Sequence, residues 1–363
     1  MQKYKKMATY DASIQKNDEK YMRRAIQLAL NGLSGAAPNP MVGAVVVHDG
    51  KIIGEGYHRK CGGPHAEVNA IRSVRQPELL CESTIYVSLE PCAHYGKTPP
   101  CADLIIEKRI PRVVIGCRDP FAKVDGLGIK KLQDAGCEVV VGVLEAECLA
   151  LNRRFVTFHT ARRPFITLKW AQSADGFMGG ECRVQGVECR AEGECRAQSV
   201  ECRAEVECRA VVFSTPLTQT LVHRLRAHCD AILVGGGTAL SDDPSLTVRQ
   251  WAGRNPLRVV IDTHGNLPAD LRLFNDEAET LVWNDWNLDA LMETLHRRGV
   301  QTLLVEGGAH VLERFLEAGL WDEIRRETAP LRLGKDVQAP MLPPCTLVSA
   351  VRYGQNEIRL FTR

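Results

Sequence analysis

Pro64-His65-Ala66-Glu67-Val68, followed by Pro91-Cys92 and then by Cys101, decides what the first half of this chain folds around. One imidazole and two thiolates make three zinc donors, leaving the fourth tetrahedral position for water. An open fourth position belongs to a catalytic zinc site, a filled one to a structural site. Glu67 stands two residues after His65 at the start of a helical pattern, so it can face the same water without binding the metal. The Pro-Cys turn comes at a second helix start, and a thiolate near a helix N-terminus is favoured in its charged form. The other arrangement these residue types allow is a closed site, completed by Cys61, His58 or His94.

Outward from this stretch, the patterning alternates between strand and helix. Residues 21–33 read as an amphipathic helix, 44–48 as a short β-branched strand, and 51–56 as its partner across Asp49-Gly50. Two such runs joined by Asp-Gly are a strong hairpin signal. Helical patterns at 65–75, 101–108 and 129–135 interleave with strands at 83–89, 112–116 and 138–143. A second unit begins near Arg163-Pro164. Its strands are expected at 165–170, 231–234, 257–261, 280–283 and 302–305, and its helices at 221–228, 288–298 and from Gly307-Gly308 through Glu317. Strands alternating with helices predict α/β layering in both halves.

A chain of 363 residues exceeds one typical domain, so two are expected. The formal net charge of +2 gives no support for a broad nucleic-acid footprint. No stretch approaches the ~20 apolar residues of a membrane span. The polar residues 1–17 lack the apolar core of a signal peptide, so the cytoplasm is expected. Fourteen cysteines would suit a secreted disulfide framework, but five belong to one repeat. Without an export signal, a reducing compartment and a metal site fit better. In that repeat, residues 181–210, Glu-Cys-Arg recurs five times at spacings of seven, six, seven and six. Its charges and cysteines alternate without an adequate apolar face, so it reads as a flexible insertion. A cysteine-rich metal tract is the alternative, but the close CxxC pairs that zinc favours are missing.

The run Asn39-Pro40-Met41-Val42-Gly43-Ala44, with Gly54-Glu55-Gly56-Tyr57-His58 and Gly63-Pro64-His65-Ala66-Glu67-Val68, resembles the cytidine-deaminase superfamily. In zinc deaminases the H-x-E glutamate moves protons to and from the attacked base. Most nucleobase members close the motif with P-C-x-x-C. Here eight residues separate Cys92 from Cys101, and the closing Gly96-Lys97-Thr98-Pro99-Pro100-Cys101 resembles the riboflavin-biosynthesis branch, the bifunctional RibD family.

The second half extends the resemblance. Gly307-Gly308 follows a strand and opens a helix, a turn that can present backbone N–H groups to a phosphate. Gly235-Gly236-Gly237-Thr238 is a second permissive turn, and Arg226 and Arg249 could hold a phosphate by paired hydrogen bonds. The ordered series from Thr167 to Gly176, then Leu225-Arg226-Ala227, then Asp242 to Arg249, then Val305-Glu306-Gly307-Gly308 resembles the RibD reductase domain throughout.

The resemblance implies a cytidine-deaminase-like three-layer domain over residues 18–160. A dihydrofolate-reductase-like domain over 163–363 follows, interrupted by 181–210. It implies one zinc ion per chain on His65, Cys92 and Cys101, with Glu67 catalytic. It implies NADPH on Ala171, Thr238, Asp242, Thr263, Gly307 and Gly308. It implies a phosphoribosylaminopyrimidine substrate contacted by Asn39 in the first site and by Arg226, Leu246, Arg249 and Glu306 in the second. A homo-oligomer with neither nucleic-acid nor membrane partner is expected. Just before Phe213-Ser214-Thr215 the family commonly places a serine and a tryptophan, and here Val212-Phe213 takes the aromatic position. Two rival functions fit parts of the chain: a nucleic-acid-editing deaminase with an unrelated second half, and a non-catalytic zinc module.

Overall fold

The structure is a computed structural model that describes residues 12–93, 95, 99–120, 126–179, 183–184, 187–188 and 211–363. The expectations placed on His94, on Gly96-Lys97-Thr98, on residues 1–11 and on the insertion lie outside the described residues. Within the repeat, only Arg183–Val184 (β8) and Val187–Glu188 (β9) are described, as a short antiparallel pair. The chain divides into two units, Met1–Arg163 and Pro164–Arg363.

The first unit has three layers. Its sheet runs β2-β1-β3-β4-β5, built from β1 (Gly43–His48), β2 (Lys51–Tyr57), β3 (Thr84–Leu89), β4 (Arg112–Cys117) and β5 (Glu138–Val141). Asp49 and Gly50, at φ 47° and 70°, make the β1–β2 turn in the left-handed region that a two-residue hairpin needs. Successive residues of a strand point to opposite faces, and β1 shows it. Ala44 and Val46 pack under α2 (Ala66–Ser73), α3 (Cys101–Glu107) and α4 (Leu127–Asp134). Val45 and Val47 pack under α1 (Ala12–Ala29) and α5 (Glu145–Leu151) on the other face. Helix α6 (Arg153–Thr160) follows. Helix α1 begins nine residues before the apolar pattern does. Its polar start is held by Asp18, which is buried and accepts hydrogen bonds from Tyr86 Oη and the Arg112 guanidinium.

The second unit carries an eight-stranded sheet in the order β12-β11-β10-β13-β6-β14-β17-β16. The strands are β6 (Phe165–Gln172), β10 (Ala231–Gly235), β11 (Leu257–Ile261), β12 (Thr280–Trp283), β13 (Thr302–Val305), β14 (Glu323–Thr328), β16 (Thr346–Tyr353) and β17 (Asn356–Thr362). Pairing is parallel from β12 through β14 and antiparallel for the last two. A side ladder joins β7 (Phe177–Met178) to β15 (Val337–Gln338). Helices α9 (Leu288–Arg297) and α10 (Ala309–Glu317) cover one face with a core that includes Leu291, Leu312 and Phe315. The other face has a smaller core around Ile232, Val260 and Leu304, with α8 (Gly236–Asp242) and the end of α7 (Pro216–Ala227) packed against it. In such sheets ligands bind outside the carboxyl ends of the parallel strands.

Candidate active sites

The first site is assembled by two helix starts. His65 is the N-cap of α2 in extended backbone, and Cys101 is the first residue of α3. Helix α2 lies directly on β2, so closely that a Cβ on Gly56 would stand 2.3 Å from Ala70 N. His65 Nδ1 lies 3.6 Å from Cys92 Sγ and 3.4 Å from Cys101 Sγ. Cys92 Sγ accepts from the Cys101 N–H at 3.3 Å, and its carbonyl accepts from Ala102 N at 3.2 Å. The three donor atoms lie within 4.8 Å of one another, and among the described residues this is the group that could hold a metal ion. One imidazole and two thiolates in a tight triangle fit zinc. Cys92 is drawn down to about 4 by the hydrogen bond from Cys101, and Cys101 is pushed up by the same contact. A bound divalent cation would favour both thiolates. Among the described residues the closed alternative does not form: Cys61 is exposed, and His58 makes other bonds.

Glu67, on the first turn of α2, is 3% exposed. Burial first, and the Cys92 charge second, raise its carboxyl to about 7. Asn39 Nδ2 lies 3.2 Å from His58 Nε2, and His58 Nδ1 lies 3.2 Å from Pro64 O. Those partners assign the tautomer: Nδ1–H donates to the carbonyl and Nε2 accepts from the amide. Burial lowers the His58 pKa and so favours the neutral ring this network requires. His58 therefore orients Asn39 and ties it to the turn carrying His65, a role the sequence reading did not give it.

The second site is a pocket of about 410 Å³ whose lining includes Lys169, Ala171, His223, Arg226, Arg249 and Glu306. Glu306 follows β13 and accepts a fork from Arg226, Nε to Oε1 at 3.1 Å and Nη2 to Oε2 at 2.9 Å. Lys169 Nζ stands 3.9 Å from Glu306 Oε2. Burial alone would raise the Glu306 pKa, but Arg226 and Lys169 outweigh it and hold the group down to about 2. Lys169 is itself lowered, by burial first. Arg249 Nη1 donates to Thr247 Oγ1 at 3.2 Å, and the Arg249 N–H donates to His223 Nδ1 at 3.2 Å.

The structure brings Ala171, Arg226, Arg249 and Glu306 to one pocket and joins the two glycine turns, since Gly308 N donates to Thr238 Oγ1 at 3.1 Å. Asp242 ends α8, and exposed Thr263 follows β11; neither lines that pocket. Leu246 is 3% exposed and its side chain packs in the smaller core, so only its backbone can meet a ligand. Lys169 and His223 were missed as site residues. A lysine inside an otherwise apolar strand run is the signal that could have flagged the first.

Two family models match, a cytidine and deoxycytidylate deaminase zinc-binding region over residues 15–117 and a RibD C-terminal domain over residues 164–362. The fold and the two sites thus define a two-domain protein, a zinc-binding deaminase unit followed by a dihydrofolate-reductase-like reductase unit of the RibD type. The riboflavin biosynthesis protein RibD of Aquifex aeolicus is 36% identical over 345 residues, covering 89% of each chain. That of Escherichia coli is 34% identical over 385, covering 94% of this chain and 96% of its own. A Thermotoga maritima diaminohydroxyphosphoribosylaminopyrimidine deaminase/5-amino-6-(5-phosphoribosylamino)uracil reductase superposes with a TM-score of 0.79 at 35% identity, covering 96% of this chain and 99% of that one. The chain belongs to the RibD family.

Proposed function

We propose that the chain carries out two successive steps of riboflavin biosynthesis. The first is hydrolytic deamination of 2,5-diamino-6-(5-phosphoribosylamino)pyrimidin-4(3H)-one. The second is NADPH-dependent reduction of the product's ribosyl group to ribityl. The observation that carries this is the convergence of His65, Cys92 and Cys101 beside a buried Glu67, on the same chain as a pocket lined by three cations and one carboxylate.

His65, Cys92 and Cys101 would hold one zinc ion, whose Lewis acidity makes water a nucleophile near neutral pH. Glu67 takes the water's proton and returns it to the departing ammonia. Its carboxyl at about 7 suits both transfers, because a general acid–base group works best with a pKa near the operating pH. Asn39, oriented by His58, holds the pyrimidine. In the second unit Ala171, Thr238, Asp242, Thr263, Gly307 and Gly308 would bind NADPH, which supplies the hydride. Arg249 would take the substrate phosphate, with the Leu246 backbone beside it. Arg226 fixes Glu306, and Glu306 in turn holds Lys169 as a proton donor for the opening sugar ring.

The near-zero net charge supports small-molecule substrates over a nucleic acid. Strand β16, an edge of the sheet among the described residues, exposes Leu347, Val348 and Val351, which supports a homo-oligomer. Reduced thiolates at the zinc site support the cytoplasm. Among the described residues no helix is long and apolar enough to cross a membrane. A coupled assay tests the reading: the purified chain should oxidise NADPH only after releasing ammonia from the diaminopyrimidine. Ammonia release from RNA but not from the free pyrimidine would favour the editing alternative.

A further inference from the structure

Glu90 sits between β3 and the Pro91-Cys92 turn and is 4% exposed. Among the described residues, the hydrogen bonds to its side chain all come from backbone N–H groups. Oε1 accepts from Gly128 N at 3.0 Å and Ile129 N at 3.2 Å, and Oε2 accepts from Gly126 N at 3.0 Å and Asp119 N at 3.4 Å. Its own N–H donates to Cys117 O at 3.0 Å. One carboxylate thus fastens the end of β3 to the segment after β4 and to the first turn of α4. Immediately after it, Pro91 O lies so close to Gly128 that a Cβ there would stand 1.9 Å away.

We propose that Glu90, working with the close Pro91–Gly128 contact, is the positioning group for the Cys92 thiolate. Cys92 has two supports. From one side the start of α3 donates Cys101 N–H to its sulfur and Ala102 N–H to its carbonyl. From the other, the chain two residues back is held by four N–H bonds. A carboxylate accepts at both oxygens, whereas an amide must turn an NH₂ toward two of those backbone donors. Glutamine is therefore nearly isosteric and electrically wrong. Outer groups that orient a metal ligand typically carry 10- to 100-fold in metal affinity.

This inference rests on the zinc reading above, and the test separates the two. Zinc affinity of the full chain is measured by chelator competition for the wild type, Glu90→Gln and Gly128→Ala. Cobalt(II) is loaded in parallel, and the thiolate-to-cobalt charge-transfer absorption is recorded. Both variants should bind zinc about 10- to 100-fold more weakly and weaken or shift the cobalt band. NADPH-dependent reduction of pre-deaminated substrate, performed by the other unit, should stay unchanged and so report soluble protein with an intact second unit, while a thermal melt reports whether the first unit is folded. Wild-type protein that binds no zinc overturns the metal reading. Variants that match a zinc-binding wild type within twofold overturn the role of Glu90, even if they melt earlier. Should Glu90→Gln fail to fold, Gly128→Ala decides. It retains the Glu90 carboxylate, and alanine is the better helix former inside α4, so what remains is displacement of Pro91 and of Glu90 Oε1, which the new Cβ would meet at 3.3 Å.

Discussion

At the scale of single residues, charge and burial separate groups that look alike in the sequence. Cys101→Ala should remove zinc and ammonia release together, read by metal analysis and an ammonia assay on the same sample. Glu67→Gln should keep the zinc and still lose deamination by ~10²–10⁴-fold, because an amide cannot accept the water's proton; a loss below tenfold would take Glu67 out of that role. Arg226 and Arg249 are equivalent in the sequence but not in the pocket. The first is spent on Glu306, and the second has, among the described residues, a hydroxyl partner for its guanidinium. Arg249→Ala should raise the KM for the phosphorylated substrate and leave that for NADPH near wild type. A hydrogen bond to a charged group contributes about 1.5–3 kcal/mol, which is about 10- to 150-fold. Equal weakening of both ligands would reassign Arg249 to the cofactor.

Glu306 makes a pH prediction whose sign can be worked through. Its folded value of about 2 lies below the ordinary 4.5. The folded state therefore prefers the ionised form, and the unfolded chain binds the proton first as pH falls. The stabilisation is complete above about 4.5 and is lost as pH drops toward 2. Thermal melts of the second unit between those values should show a steeper pH dependence for the wild type than for Glu306→Gln. Parallel slopes would mean that the Arg226 and Lys169 charges do not stabilise this carboxylate.

Among elements, legibility followed patterning. The first sheet was readable because β1, β3 and β4 are short β-branched runs punctuated by Asp49-Gly50 and by helices of ordinary period. The edge of the second sheet was not. Strand β14 reads Glu-Ile-Arg-Arg-Glu-Thr, yet Arg325 and Glu327 are buried beside the pocket wall, where Glu327 accepts from Ser214 Oγ at 2.9 Å. Charges there look like a solvated loop until the tertiary partners are known. Strand β16 is exposed along nearly its whole length and so carries no inward-outward alternation. Helix α6 has no buried residue to mark its face. For the sites, the spacing of His65, Cys92 and Cys101 pointed to one cluster, because ligand chemistry constrains residue type. Glu90 and His223 act through backbone groups, which leave no such mark. Gly56 shows how an element places a site. Ala there would press on Ala70 N and Ala66 O of α2. Gly56→Ala should cost about 1–3 kcal/mol by overpacking and loosen zinc, since His65 and Glu67 ride on the helix that must move. Calorimetry with zinc analysis checks this, and an unchanged melting temperature would show that α2 can yield.

For the whole molecule, the open question is what residues 181–210 contribute to two chemistries carried on one chain. Their composition offers no apolar face from which to build a core. The described residues on either side meet: a Cβ on Gly179 would stand 3.1 Å from Val211 Cβ and 3.3 Å from the Phe213 ring. A short Gly-Ser link can therefore replace the repeat without moving either end. Loop closure grows slowly with length, so shortening ~30 residues to a few should gain about 1–2 kcal/mol. The first unit should not notice, because its donors and Glu67 all precede residue 163. The second should either not notice or improve, because Val211, Val212, Phe213 and Ser214 line its pocket and a shorter tether holds that wall more tightly. The shortened chain should thus release ammonia at the wild-type rate and reduce pre-deaminated substrate at the wild-type rate or faster. Both rates are measured on one preparation, with Glu67→Gln in the same background as the control that silences only the first. Insoluble protein, or a reductase that falls while the deaminase holds, would show that the Glu-Cys-Arg units support the second unit through contacts their composition does not suggest.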